Sequence, residues 1–256
     1  MTTVKLSIAE YRKIDDLVAH YESNKGIFEG LVYQLTGHVQ SSEALRSVVH
    51  SIKSRVKEPS HLREKLERKW LRAKTVNEEF PYTKENLFRT INDLAGFRIL
   101  HLHTTQIATI HSSLLEIFDV QRYVQLEAPS ARTWDDESRA LFKEVGIETI
   151  QNKDSMYTSV HYVVQPNSRI DASCEIQVRT LSEEVWGEVD HKINYPVRSP
   201  SASCREQLKV LARITSGCSR LVDSIFLSSE TEGDKQEASA VKKHAKRPAK
   251  RAAVDN

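Results

Sequence analysis

Two acids and a run of cations are the side chains in this sequence best suited to chemistry. Asp93 stands just ahead of the apolar run from Leu94 to Leu102. Glu175 opens an alternating stretch, EIQVR, in which Ile176 and Val178 face one way while Glu175, Gln177 and Arg179 face the other. If the two strands are neighbours, the carboxylates converge and can hold Mg²⁺, which takes oxygen ligands and leaves positions for water and phosphate. Facing them would be Arg55, Lys57, Lys65 and Arg68, part of a set of eight cations between Arg55 and Lys74. A divalent metal opposite a Lys/Arg clamp is what phosphoryl or pyrophosphoryl transfer requires, because charge develops on phosphate oxygens. Tyr157 can stack on a base, with Ser159 and His161 on the same face of its predicted strand. Plainer alternatives stand beside this reading. The EIQVR strand can be an edge strand with one solvated face, and the basic helix can be a surface helix laced with pairs such as Glu64 and Arg68.

Elements that would position these groups can be read from spacing. Residues 7–50 carry two apolar stripes at helical spacing, one through Ile8, Tyr11, Ile14, Leu17 and Tyr21, the other through Leu31, Leu35, Val39 and Leu45. Ser47–Val56 alternates as a strand. Pro59 then starts a helix with Leu62, Leu66 and Ala73 inward. Residues 105–118 read as an amphipathic helix and Val120–Leu126 as a strand, followed by the least regular part, a partly helical connection over Ala128–Val145. Strands are expected at Gly146–Gln151, Tyr157–Gln165 and Ala172–Arg179. Thr180 with Glu183 has the spacing of a capping box. It opens a helix whose expected buried stripe is Val185, Trp186, Val189 and Ile193, with Glu188, Asp190, His191 and Lys192 exposed or facing a cleft. A last helix over 203–228 has its stripe at Leu208, Leu211, Ile214, Cys218, Leu221 and Ile225.

With strand, helix and strand beside a basic helix, the chain reads as an α/β or α+β layer structure. It divides into a helical N-terminal region (1–46), a main domain (47–200), a C-terminal helix (201–230) and a basic, disordered tail (231–256). The 256 residues, 39% hydrophobic and 28% charged, suit a soluble cytoplasmic protein with no membrane span. Cys174, Cys204 and Cys218 are odd in number and lack metal-type spacing, so they read as reduced thiols. No phosphate-binding Walker loop, glycine-rich dinucleotide fingerprint or Ser–His–Asp set is present in the sequence.

Four segments, RVKEPSHLREKLERK, DLAGFRI, YTSVHYVV and EIQVRTLSEEVWGEVDHKINY, resemble in that order the synthetase domain of the RelA/SpoT alarmone synthetases, and the chain is closest in size to the small, single-domain members. The resemblance runs from about Ser47 to Tyr195. It implies an α+β fold, a mixed β-sheet flanked by helices and related to nucleotidyltransferases, and transfer of the β,γ-pyrophosphate of ATP to the 3′-hydroxyl of GDP or GTP, with Mg²⁺, to make (p)ppGpp. By position it implies that Arg55 and Arg98 hold the adenine and that Lys57, Lys65 and Arg68 bind the ATP phosphates. Asp93 would be a metal ligand, and Glu175 would assist the metal and act as base. Tyr157 would stack on the acceptor base, with Lys153 and His161 on the acceptor phosphates and Gln177, Arg179 and His191 shaping that side; Ser159 shares its face. The companion hydrolase's His–Asp pair is not visible around His20, His38 or His50.

Departures fall in the acceptor loop and beside the ATP clamp. The family's usual serine after the first basic pair is His61, its Asn-Gly before the tyrosine is Ser155-Met156, and the preceding Pro-Lys is absent from the sequence. They bear on the acceptor more than on the donor. Two further readings therefore stand beside (p)ppGpp synthesis: a toxin-like member modifying adenosine nucleotides or the 3′ end of tRNA, and a catalytically silent nucleotide sensor. The basic tail suits electrostatic contact with tRNA as well as simple solubilisation. A homo-oligomer is compatible with the sequence.

Overall fold

The strands that carry the two candidate acids are direct neighbours. In the computed structural model, which describes residues 5–151, 155–169, 171–194 and 199–245, three helices come first: α1 (Ile8–Ser23), α2 (Lys25–Ser41) and α3 (Glu43–Val48). Strand β1 (Val49–Val56) leads into α4 (Pro59–Val76), and a short helix α5 (Leu87–Thr90) precedes β2 (Ala95–His101). Then follow α6 (Ile107–Val120), β3 (Val124–Thr133), α7 (Asp136–Glu144), β4 (Glu148–Gln151), β5 (Ser159–Gln165), β6 (Cys174–Thr180), α8 (Leu181–Asn194) and α9 (Ala202–Ala245). The strands form one mixed sheet in the order β1-β2-β6-β5-β3-β4. Its centre is the parallel pair β2–β6, with Gly96 opposite Glu175 and Arg98 opposite Gln177.

Alternation explains the two faces. Phe97 and Ile99 of β2, Ile176 and Val178 of β6, and Val160, Tyr162 and Val164 of β5 are buried in the main core. That core also takes Ile14, Leu17 and Tyr21 of α1 and Phe28, Leu31 and Leu35 of α2, so the N-terminal helices complete the sheet's apolar layer. The Tyr21 hydroxyl donates to the Lys57 carbonyl at 2.5 Å, fixing the chain where β1 gives way to α4. On α4, Pro59 supplies a preset φ at the first turn, Leu62, Leu66, Trp70 and Ala73 are buried, and Asn77 closes the helix in the left-handed region at φ 56°.

Several expectations need correction. Helix α6 reaches Val120 and β3 lies at Val124–Thr133, so the start of the connection is strand, while α7 is the helical part expected within it. The β3 ladder with β5 carries register shifts between Gln125 and Ser130, which blurs its alternation. On α8 the expected stripe holds only at Trp186: Val185, Val189 and Ile193 are exposed, and the helix buries Glu184 beside Trp186 instead. The cause is electrostatic, since Glu184 meets Lys53, Arg98 and Arg179. Likewise α9 turns Leu208, Ala212, Thr215 and Ser219 inward and leaves Ile214, Cys218, Leu221 and Ile225 exposed. Small side chains let it lie close to α8, where the Trp186 indole donates to the Leu208 carbonyl at 2.9 Å. Helix α9 also continues to Ala245, through residues expected in the tail; that stretch is rich in Glu, Lys, Gln and Ala, all good helix formers. Residues 246–256 lie outside the described residues.

The capping box at the start of α8 is present: Glu183 N–H donates to Thr180 Oγ1 at 3.2 Å and Thr180 N–H to Glu183 Oε2 at 2.9 Å. Thr180 Oγ1 also lies 3.0 Å from Ser219 Oγ, tying α9 to the same junction. Thr180→Ala removes the two bonds of the hydroxyl, to Glu183 N–H and to Ser219, and is expected to lower the unfolding free energy by about 1–2 kcal/mol. Urea unfolding with an unchanged m-value is the measurement; an unchanged midpoint would show the junction to be dispensable.

Candidate active site

The cleft forms where the polar faces of β1, β2 and β6 meet the N-terminal half of α8. Parallel pairing of β2 with β6 brings the turn before β2, which holds Asp93, alongside Glu175. Antiparallel pairing of β1 sets Arg55 opposite Gly96 and Lys53 opposite Arg98. Arg55, Asp93, Arg98, Glu175, Gln177 and Glu188 thus line one cavity of about 310 Å³.

Asp93 is gripped by the cations expected at the phosphates. Lys57 Nζ lies 3.0 Å from its Oδ2 and Lys65 Nζ 2.7 Å from its Oδ1. Burial pushes the Asp93 carboxyl up, but the two ammonium groups outweigh it and hold it below its ordinary value. Arg68 stands three residues past Lys65 on α4.

Glu175 is held by different partners. His161 Nδ1 lies 3.1 Å from its Oε1, and Gln177 Nε2 donates to its Oε2 at 3.0 Å. Burial raises this carboxyl too, and the His161 and Gln177 donors more than offset it, so Glu175 is ionised at neutral pH. The negative charge of Asp93 acts against that ionisation, so the two acids lie within electrostatic reach of each other. Among the described residues no group of three or more His, Cys, Asp or Glu side chains is placed to hold a metal. A cation here would draw on two carboxylates and complete its shell with water and phosphate oxygens, a set that suits Mg²⁺.

The acceptor-side residues are placed less uniformly. Tyr157 precedes β5 and does not belong to it, yet its ring still sits 5.7 Å from the His161 ring, and its hydroxyl donates to Gln177 Oε1 at 3.2 Å. The Arg179 guanidinium lies over the Tyr157 ring at 5.6 Å. Arg179 itself is 3% exposed and paired with Glu184 at 2.6 Å, beneath α8 and not on the cavity wall. Gly187 makes that seat: a Cβ there would run into the Arg179 guanidinium. Ser159 is buried and spends its hydroxyl on the Val178 carbonyl at 3.2 Å. His161 Nε2 is buried and has no hydrogen-bond partner among the described residues. His191 lies exposed in the last turn of α8, and Lys153 falls outside the described residues.

Two residues that line the cleft, Lys53 and Glu188, and one buried behind it, Glu184, are absent from the sequence-based set. Lys53 is two positions before Arg55 on the same alternating face, a signal available in β1. Glu188 was expected to be exposed or facing a cleft, and it does line the cavity. Glu184 gave no sign, because its burial follows from cations on three separate strands.

Comparison with known proteins bears on the family and the fold. The family model for the region found in RelA/SpoT proteins matches residues 54–199. GTP pyrophosphokinase YjbM of Bacillus subtilis (strain 168) is 34% identical over 96 residues, 35% of this chain and 43% of that relative, so the match spans under half the relative's length. In fold, the chain is similar to the small alarmone synthetase 1 of Bacillus subtilis bound to its product pppGpp, with a TM-score of 0.55 and 21% identity over 85% of this chain and 98% of that one. A second crystal structure of that synthetase gives 0.51 and 21%, covering 87% and 97%. No helix among the described residues is long and apolar enough to cross a membrane. With an α+β fold of that type and a family match across more than half its length, the chain belongs to the RelA/SpoT synthetase family.

Proposed function

We propose that the chain is an ATP-dependent pyrophosphokinase that moves the β,γ-pyrophosphate of ATP to the 3′-hydroxyl of GDP or GTP. The observation that carries this is the shared cleft: Asp93 and Glu175 line it with Arg55 and Arg98, and Lys57 and Lys65 stand on Asp93. The acceptor oxygen attacks the β-phosphorus, the bond from that phosphorus to the oxygen bridging to the α-phosphorus breaks, and AMP leaves. Arg55 and Arg98 hold the donor base; Lys57, Lys65 and Arg68 take the donor phosphates. For this the two lysines exchange Asp93 for phosphate oxygens, which frees Asp93 for a cation. Asp93 and Glu175 would hold Mg²⁺, which would supply charge stabilisation on the transferring group. Glu175, ionised and oriented by His161 and Gln177, accepts the acceptor proton. Tyr157, backed by Arg179, offers its ring to the acceptor base.

One observation favours a second reading of the acceptor. The acceptor loop carries Ser155-Met156 in place of the family's usual Asn-Gly, which supports adenosine nucleotides or the 3′ end of tRNA as the alternative. Incubation with β,γ-labelled ATP, Mg²⁺ and separate acceptors (GDP, GTP, ADP and deacylated tRNA) decides between them. Label on GDP or GTP is the expected result; label on ADP or tRNA alone replaces it with the second reading, and label on none rejects both.

Glu175→Gln preserves shape and removes the charge that binds metal and takes a proton, so turnover is expected to fall about a hundredfold or more with folding intact by circular dichroism. Near-normal turnover would remove Glu175 from the chemistry.

Tyr157→Ala is expected to raise the acceptor KM at least tenfold, since stacking on a base contributes about 1–3 kcal/mol. Tyr157→Phe keeps the ring and loses the hydroxyl's bonds, to Gln177 among them, so its KM should rise no more than about fivefold. A Tyr157→Ala variant with wild-type acceptor KM would place the base elsewhere.

The Asp93–lysine cluster predicts a pH signature in metal-free buffer. A carboxyl whose pKa is depressed by folding stabilises the folded state above its unfolded pKa, and loses that contribution as pH falls through the folded value. The difference in unfolding free energy between wild type and Asp93→Asn should be level from neutral pH to about 4, the ordinary carboxylate value, and shrink below it. A difference that shrinks well above pH 4 would contradict the cluster.

A further inference from the structure

Arg98 is held by one end. Its Nη1 donates to Glu184 at 2.7 Å and to Glu188 at 2.8 Å, two carboxylates one turn apart on α8. Guanidinium N–H groups point outward in the plane of the group, so carboxylates bonded to them occupy its edge and leave its flat faces for stacking.

The two acids have different surroundings. Glu184 is 5% exposed and also takes Lys53 and Arg179, so its charge is offset from β1, β2 and β6 together. Glu188 has a side chain 50% exposed, lines the cleft, and makes its one ion pair among the described residues with Arg98. It lies outside the charged strand face and contributes nothing to the buried stripe of α8. What it does in the folded chain is reach back one turn to the arginine assigned to the donor base.

We propose that Glu188 is a positioning residue for that base. With Glu184 it fixes the edge of the Arg98 guanidinium, so that a flat face is presented to the cleft before the nucleotide arrives. An unrestrained arginine would lose rotamer freedom on stacking, and fixing it beforehand removes that cost from binding. The inference rests on the donor-side reading of Arg98 above, and goes beyond it in assigning Glu188 a role through Arg98 and not through direct contact with substrate.

Binding of a non-hydrolysable ATP analogue and of inorganic tripolyphosphate, measured for the full chain, tests it. Tripolyphosphate engages the phosphate cations without a base to stack, so it reports on the fold and the lysines but not on the platform. Glu188→Gln should weaken the ATP analogue by about three- to fivefold, the range for a partly exposed ion pair. Tripolyphosphate affinity and melting temperature should be unchanged, and Glu188→Gln should add nothing in an Arg98→Ala background. Equal loss of both ligands would make Glu188 a general structural residue and overturn the proposal. So would unchanged or tighter analogue binding, the latter marking Glu188 as a competitor for Arg98. If Arg98→Ala itself binds the analogue like wild type, the donor-side reading fails first and the proposal with it, an outcome separate from failure of Glu188→Gln alone.

Discussion

The cleft depends on one strand pairing. β2 and β6 run parallel, and their register sets Gly96 against Glu175 and Arg98 against Gln177. A slip of one residue would turn Glu175 and Arg98 into the apolar layer and Ile176 and Phe97 out of it. Burial of Phe97, Ile99, Ile176 and Val178 therefore fixes where the charged groups stand.

How far the sequence discloses this arrangement varies with the kind of force involved. Strands with one apolar face and one polar face, such as β2 and β6, are legible because alternation records their burial directly. So are the start of α4 at Pro59 and the capping box at Thr180, where the residue types have local causes. The faces of α8 and α9 are not legible. Apolar spacing on α8 points to Val185, Val189 and Ile193, but the inward side is chosen by Glu184, whose partners lie on β1, β2 and β6. On α9 the choice falls to small and hydroxyl side chains that permit close approach, while larger apolar residues stay outside. The site itself was half visible: Asp93, Glu175 and Arg55 share the cleft as their strands suggested, and Arg98 joins them as the family resemblance implied, whereas Arg179 and Ser159 have buried partners that only the tertiary structure reveals.

Electrostatically the cleft is balanced before any ligand enters. Asp93 answers Lys57 and Lys65, and Glu184 with Glu188 answers Arg98. Cations packed this closely without acids would repel one another and strain the fold. A polyphosphate entering the cleft replaces existing partners of the lysines instead of filling a bare positive surface. Binding is then an exchange of anions, which limits the net gain per contact and makes affinity sensitive to salt.

Gly187 carries a consequence for how this sequence can change over time. Its missing side chain is the space that the Arg179 guanidinium occupies, and that guanidinium in turn backs the Tyr157 ring and meets Glu184. A methyl group at 187 would improve the intrinsic helix propensity of α8 yet force the arginine out of its seat. The two positions are therefore coupled: a side chain at 187 requires the tip of Arg179 to move, and with it the group that lies over Tyr157 and meets Glu184.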